Sequence, residues 1–133
     1  MRAALPQLEA FLASDIGRLF ERNLKENRVY RELPFTYKID ARRFRDDWTG
    51  PSEYAVMQGI VDCLIEDDGS YILLDYKSDR VFQTPEGSTA EDVLKDRYRT
   101  QLVLYQEALE SILGIKIDRR VIYAFELNAT IET

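Results

Sequence analysis

Asp62, Asp75 and Lys77 are the residues whose types and spacing could do chemistry. They lie in the stretch MQGIVDCLIEDDGSYILLDYK, Met57 to Lys77, where two apolar runs flank Glu66-Asp67-Asp68-Gly69-Ser70. Asp-Gly between apolar runs is the strongest short-range signal for a β-hairpin. With Asp68-Gly69 as a two-residue turn, Asp67 faces Ser70, and the same register carried outward sets Asp62 opposite Asp75. Facing Cβ atoms in such a pair lie about 4.5–5.5 Å apart. Side chains alternate along a strand, so Asp75 and Lys77 share a face. Two opposed carboxylates repel and call for a cation between them, either Lys77 or a divalent metal. The spacing suits a structural Asp–Lys–Asp cluster as well as a metal site.

The elements that must position these groups are legible in the same way. Residues 4 to 12 carry a short helical stripe of Leu5, Leu8, Phe11 and Leu12. Ser14 reads as the N-cap of a second helix to about Lys25, with Ile16, Leu19 and Phe20 on its apolar face. Gly17 in that helix either allows close packing or is a tolerated exposed glycine. Arg28 to Asp40 suits a strand, and Pro34 suggests an edge position, a bulge or a kink. Glu32 stands in it, either reaching the acidic patch or pairing with a surface arginine.

Residues 41 to 53 form a polar connection in which Arg42, Arg43 and Arg45 are candidates for phosphate contact or a solvated loop. The hairpin follows, about 54–66 and 70–77. Both its faces are apolar, with Val61, Cys63 and Ile65 against Ile60 and Leu64, so it should be central and covered by helices. A loop from Ser78 to Ser88 leads to a capping box, Ser88-Thr89-Ala90-Glu91, and a helix ending at Gly114. Its buried stripe is Leu94, Tyr98, Gln101, Leu102, Tyr105, Leu109 and Ile112. Gln101 and Tyr105 point the same way, as a polar pair packing helix on sheet or as a lining for the carboxylate site. Lys95, Arg97 and Arg99 are candidates for DNA contact or a solvated face. Ile117 to Leu127 reads as a last strand. The order α-β-β-β-α-β gives an α/β sandwich with a mixed sheet.

Composition narrows the chemistry. The chain has 133 residues, 45% apolar and 32% charged, enough for one domain with its own core. It contains no histidine, which removes histidine acid–base catalysis and His-ligated metals from these residues. Any metal must then be hard and oxygen-liganded, so Mg²⁺ or Mn²⁺ is favoured. The single cysteine, Cys63, excludes an internal disulfide and cysteine-ligated clusters and points to a reducing cytoplasm. The sequence shows neither a signal-peptide pattern nor a transmembrane run. A net charge of −6 argues against strong autonomous nucleic-acid binding.

Taken together, Arg31-Glu32-Leu33-Pro34-Phe35, Gln58-Gly59-Ile60-Val61-Asp62, Leu74-Asp75-Tyr76-Lys77-Ser78-Asp79 and Arg97-Tyr98-x-x-Gln101-Leu102-x-x-Tyr105 resemble the RecB-like branch of the PD-(D/E)XK nuclease superfamily. Within it they are closest to the C-terminal nuclease domains of AddA-type ATP-dependent helicase–nuclease subunits. The resemblance spans roughly residues 11 to 126. It implies a restriction-endonuclease-like fold and Mg²⁺-dependent hydrolysis of DNA in double-strand-break processing. It implies that Asp62, Asp75 and the backbone carbonyl of Tyr76 bind the metal. Lys77 would position or activate the attacking water, Gln101 and Tyr105 match the Q-x-x-x-Y motif beside the site, and Glu32 matches an acidic position of variable role. Implied partners are DNA, a helicase motor in the same parent chain and a second helicase–nuclease subunit.

Two departures stand out. Ser78 replaces the commoner Thr, and the histidine that an upstream helix of the family usually supplies is absent. A fragment of a longer helicase–nuclease accounts for this, and for the lack of a G-x-x-x-x-G-K-[ST] motif. The alternative function is a non-catalytic module that keeps the nuclease fold to dock DNA or a partner subunit. Another PD-(D/E)XK enzyme, such as a resolvase or restriction nuclease, fits the Gln101-x-x-x-Tyr105 helix less well.

Overall fold

Local sequence signals and two apolar layers account for the architecture. The computed structural model describes residues 4–40, 42 and 54–133. Its elements are α1 (Leu5–Ala13), α2 (Asp15–Lys25), β1 (Val29–Asp40), β2 (Tyr54–Asp67), β3 (Ser70–Lys77), α3 (Ala90–Leu113), β4 (Ile117–Ala124) and β5 (Ala129–Glu132). The strands form one mixed sheet in the order β1-β2-β3-β4-β5. Among the described residues only the β3–β4 pair is parallel, joined through α3. The hairpin is therefore interior, as its two apolar faces require. Pro34 lies on the edge strand β1, where a missing N–H costs no ladder bond on the open side.

Asp68 and Gly69 take left-handed backbone angles, φ 50° and 83°, as a tight two-residue hairpin turn demands. Pairing then runs from Asp67–Ser70 to Cys63–Leu74 in the expected register. Arg22 (2.7 Å) and Asn23 (2.8 Å) of α2 both donate to Asp67 Oδ1 and pin the turn to that helix.

One layer is formed by α1 and α2, whose Phe11 and Ile16 pack on Cys63, Ile65, Ile72, Leu74, Val121, Tyr123 and Phe125. Ser14 Oγ caps α2, accepting from Gly17 N at 3.1 Å. Gly17 is buried, and a Cβ there would fall 1.7 Å from the Phe11 carbonyl oxygen, so close packing is its role. The α1 stripe is shallower than expected. Only Phe11 is buried, while Leu5, Leu8 and Leu12 stay exposed, because periodicity marks an apolar face without saying how much of it finds cover.

On the other layer α3 packs Leu94, Leu102, Ala108 and Leu109 against Val61, Leu64, Leu73 and Ile122. Each fully buried leucine contributes about 1.5–3 kcal/mol, more than a single hydrogen bond, so apolar packing sets the position of α3 over the sheet. The helix starts one residue later than the Ser88 box implies. Thr89 accepts from Asp92 N (3.1 Å) and Asp92 accepts from Thr89 N (3.0 Å), the same reciprocal pair shifted by one. Ile112 is 49% exposed, since helical periodicity continues past the end of the cover it packs on. The strand expected over Ile117 to Leu127 is β4 and ends at Ala124. Asn128 (φ 46°) turns the chain into β5, a strand of four residues, too short for a two-residue alternation to stand out.

The polar connection 41–53, with Arg43 and Arg45, lies outside the described residues apart from Arg42, which pairs with Asp40 at 2.6 Å. Among the described residues no helix is long and apolar enough to cross a membrane.

Candidate active site

The hairpin ladder ends one pair before Asp62 and Asp75 meet. In place of a backbone partner, Asp62 Oδ2 accepts the N–H of Tyr76 at 2.9 Å. A side chain thus closes the ladder, and β2 separates from β3 at the carboxylates. Asp62 and Asp75 are therefore not the ladder pair that the hairpin predicts: the register is right, but the strands part.

Both β1 and β2 change face at this point. Val29 packs on the α1–α2 layer, yet Leu33, Phe35 and Tyr37 pack on the α3 layer. Likewise Cys63 and Ile65 belong to the first layer and Val61 to the second, so Val61 and Cys63 do not share a face. The break falls at Glu32 and Asp62. Glu32 has φ 50°, unusual for a non-glycine residue within a strand. It sits across from Asp62, between the Arg31–Cys63 and Leu33–Val61 pairs. Glu32 and Asp62 line one cavity of about 750 Å³ with Phe20, Val29, Arg31 and Tyr76. No described arginine forms an ion pair with Glu32.

Asp75 is only 4% exposed, on the α3 side of β3. Lys77 Nζ lies 2.9 Å from its Oδ2. The lysine is its ion-pair partner, but the contact falls outside hydrogen-bond geometry and no other group donates to that oxygen. Burial pushes the Asp75 carboxyl up to about 6; Lys77 pulls against this and the neighbouring Asp62 adds to it. Burial works to lower the Lys77 ammonium, but the Asp75 carboxylate outweighs it and holds it above its usual value. Lys77 Nζ is also 3.4 Å from Gln101 Oε1, and Gln101 Nε2 donates to Tyr105 Oη at 3.1 Å. Gln101 therefore reaches Lys77 from α3, and Tyr105 stands behind it as the partner of its amide. Tyr105 packs edge-on against Phe35, with ring centroids 5.2 Å apart. A Cβ on Gly59 would fall 2.7 Å from the Phe35 ring and 3.3 Å from Tyr105, which is why glycine stands there.

The ring of Tyr76 faces the other layer, against Phe11 and Phe125. Burial, and secondarily Cys63, raises its hydroxyl far above the usual range, so it stays protonated.

Asp75 Oδ2 is a buried acceptor without a donor beside a second carboxylate, an arrangement a cation would complete. Among the described residues no group of three His, Cys, Asp or Glu side chains converges. The chain thus offers two carboxylates and leaves the remaining positions to water, carbonyl and phosphate oxygens. Mg²⁺ is bound in this way, by one or two carboxylates together with waters and substrate phosphates. Two carboxylates with open positions fit a hard divalent cation held largely by such oxygens.

Of the three candidate DNA-contact residues, Arg97 is tied to Asp79 (2.7 Å). Arg99 is exposed and Lys95 partly so. Two residues at the site have no role that the sequence alone assigns. Tyr98 looks like one more core aromatic of the α3 stripe, although its i,i+3 spacing to Gln101 sets both on one face. Asp79 lies in a loop, where no periodicity reveals direction.

The sequence profile of the PD-(D/E)XK nuclease superfamily matches residues 3–130. The chain is 64% identical over 132 residues to an ATP-dependent helicase/nuclease subunit from Exiguobacterium sibiricum, covering 99% of this chain and 11% of that protein. Proteins of the same name from Bacillus cereus (strain G9842) and Bacillus cytotoxicus are 37% and 35% identical. Those matches cover 94% and 96% of this chain and 10% of each relative. The chain spans about a tenth of the length of the curated relatives it matches. With the profile covering nearly every residue, and the neighbouring Asp62 and Asp75 carboxylates and Lys77 in place, the chain belongs to the PD-(D/E)XK nuclease superfamily.

Proposed function

We propose that this domain hydrolyses DNA phosphodiester bonds with Mg²⁺, Mn²⁺ being an alternative ion. We further propose that it works within an ATP-dependent helicase–nuclease in double-strand-break repair and recombination. The observation that carries the reading is the buried, donor-less Asp75 Oδ2 beside Asp62 and Lys77. Asp62 and Asp75 would hold the ion, with the Tyr76 carbonyl as a further ligand. The ion supplies a Lewis acid for the phosphate and a water of lowered pKa. Lys77, already cationic, would position the attacking water and steady charge on the phosphoryl oxygens. Gln101, fixed by Tyr105, would orient Lys77. Glu32 shares the cavity with Asp62 and would bear on a water or ligand there.

The proposed partners are the motor of the parent chain and a second helicase–nuclease subunit, in the cytoplasm. The acidity of the domain supports delivery of DNA by such partners rather than by its own surface charge.

The test is cleavage of DNA by the full-length protein with Mg²⁺, wild type against Asp62→Ala and Lys77→Ala. Each substitution should lower the rate by at least about a hundredfold, the scale of losing one charge-stabilising group. Equal cleavage by all three proteins would sink the assignment. Calorimetric titration with Mn²⁺ separates the alternative, because a docking module would bind no ion, or bind it equally well after Asp75→Ala.

A further inference from the structure

The Lys77 ammonium has a third neighbour, Tyr98, whose role the Gln101-x-x-x-Tyr105 motif does not give. Its Nζ sits 4.1 Å from the centroid of the Tyr98 ring. The hydroxyl of the same ring donates to Asp79 Oδ2 at 2.6 Å, and Arg97 donates to that oxygen at 2.7 Å. A chain of contacts thus runs Arg97–Asp79–Tyr98–Lys77–Asp75. We propose that Tyr98, itself held by Asp79, is a positioning residue that fixes the Lys77 ammonium for catalysis through the face of its ring. This rests on the nuclease reading above.

The physical case starts from lysine. Its ammonium is a point charge on a flexible four-carbon stem, so one ion pair does not hold it in place. Here it has three contacts: Asp75 Oδ2 at 2.9 Å, Gln101 Oε1 at 3.4 Å and the Tyr98 face. The aromatic face attracts the cation through its quadrupole, most strongly where water is partly excluded. The Lys77 side chain is 18% exposed, within that regime. A phenol that donates to a carboxylate has a more electron-rich ring, so Asp79 strengthens the contact from behind. Burial alone would raise the Asp79 carboxyl, but Tyr98 and Arg97 bring it below its usual value, so it is ionised for this role.

A role in packing alone explains less. Tyr98 does pack on the α3-side core. Packing alone needs neither a carboxylate on its hydroxyl nor a cation over its face. Asp79 also roots the loop that follows Lys77, so loop and lysine share one fixed point.

The test compares wild type, Tyr98→Phe, Tyr98→Leu, Asp79→Asn and Asp62→Ala in the full-length protein. Readouts are kcat and KM for DNA cleavage with Mg²⁺, melting temperature, and the shift of the Lys77 ε-methylene protons after selective lysine labelling. A ring face over these protons moves them upfield. Tyr98→Leu should lower kcat about tenfold with KM unchanged, and abolish the upfield shift. Tyr98→Phe keeps the ring, so it should keep the shift and lose less than about threefold. Wild-type kcat in Tyr98→Leu, a rise in KM in place of a fall in kcat, or equal loss in Phe and Leu variants overturns the proposal. So does an upfield shift that survives Tyr98→Leu.

If Tyr98→Leu does not fold, Asp79→Asn decides, because it leaves the ring's packing intact. A fall in kcat of about twofold to threefold at constant KM, the size expected of Tyr98→Phe, supports the proposal, and a wild-type kcat overturns it. Asp62→Ala separates the two levels. Wild-type cleavage by that variant overturns the nuclease reading, and the placement of Lys77 by Tyr98 is then judged by the proton shift alone.

Discussion

Glu32 lies across the β1–β2 ladder from Asp62, and both strands turn their side chains to the opposite layer there. The cost sits on Glu32, whose φ of 50° strains a residue with a Cβ by about 1–3 kcal/mol. Glu32→Gly removes that strain but adds chain entropy to the unfolded state. We expect a net stabilisation of up to about 1 kcal/mol, read as a higher melting temperature. A carboxylate that bears on the site makes the same variant slower at DNA cleavage. A lower melting temperature would mean that the surroundings do not strain this residue.

Asp75 should destabilise the fold in the absence of metal. Its folded pKa, about 6, lies above the ordinary 3.8 of an aspartate. The folded state therefore binds more protons between these values, and stability falls as pH rises through that window. Asp75→Asn, which mimics the neutral form, should melt above wild type at pH 8 in EDTA, by about 1–3 kcal/mol of stability. The gap should close below about pH 4. Mg²⁺ should raise the melting temperature of wild type and leave Asp75→Asn unmoved. A pH-independent gap would refute the burial argument.

Gly59→Ala should disturb the site from behind. The added methyl meets Phe35 at 2.7 Å and Tyr105 at 3.3 Å, and Tyr105 holds Gln101. Overpacking of this kind costs about 1–3 kcal/mol. Cleavage should fall further than the stability loss explains, while the companion Phe35→Leu, which makes room, restores part of it. An additive pair of effects would show that the two positions are not coupled.

Asp67→Asn probes the pin between hairpin and α2. Asn23 first and then Arg22 hold the Asp67 carboxyl below its usual value. A folded pKa below the unfolded one adds stability above the unfolded value, and this is lost as pH falls through the folded pKa. The variant should be destabilised by about 1 kcal/mol at pH 7, with the difference vanishing in acid. Urea titrations at pH 7 and near pH 3 check this, and an equal difference at both would contradict it.

Much of this arrangement is legible in the sequence because its signals are local. Asp68-Gly69 specifies a turn, the turn specifies the register, and the register brings Asp62 near Asp75. Ser14 and the Leu94-to-Leu109 spacing specify helices in the same way. Other features are invisible there for reasons just as physical. β5 has too few residues for alternation to register. The exposed Leu5, Leu8 and Leu12 show that an apolar stripe does not report its own coverage. Tyr98 reads as core, and only Lys77, on a different element, gives its ring a charge to face.

The sequence by itself determined the hairpin, its register, the crossover helix and the identity of the charged groups, because each depends on residues close together in the chain. The tertiary structure decided how those groups meet. It ended the ladder at Cys63–Leu74, turned Asp62 onto the Tyr76 amide and left Asp75 Oδ2 without a donor. These outcomes depend on where three strands and a helix come to rest against each other. That is set by close packing across the whole sheet, which no local pattern records.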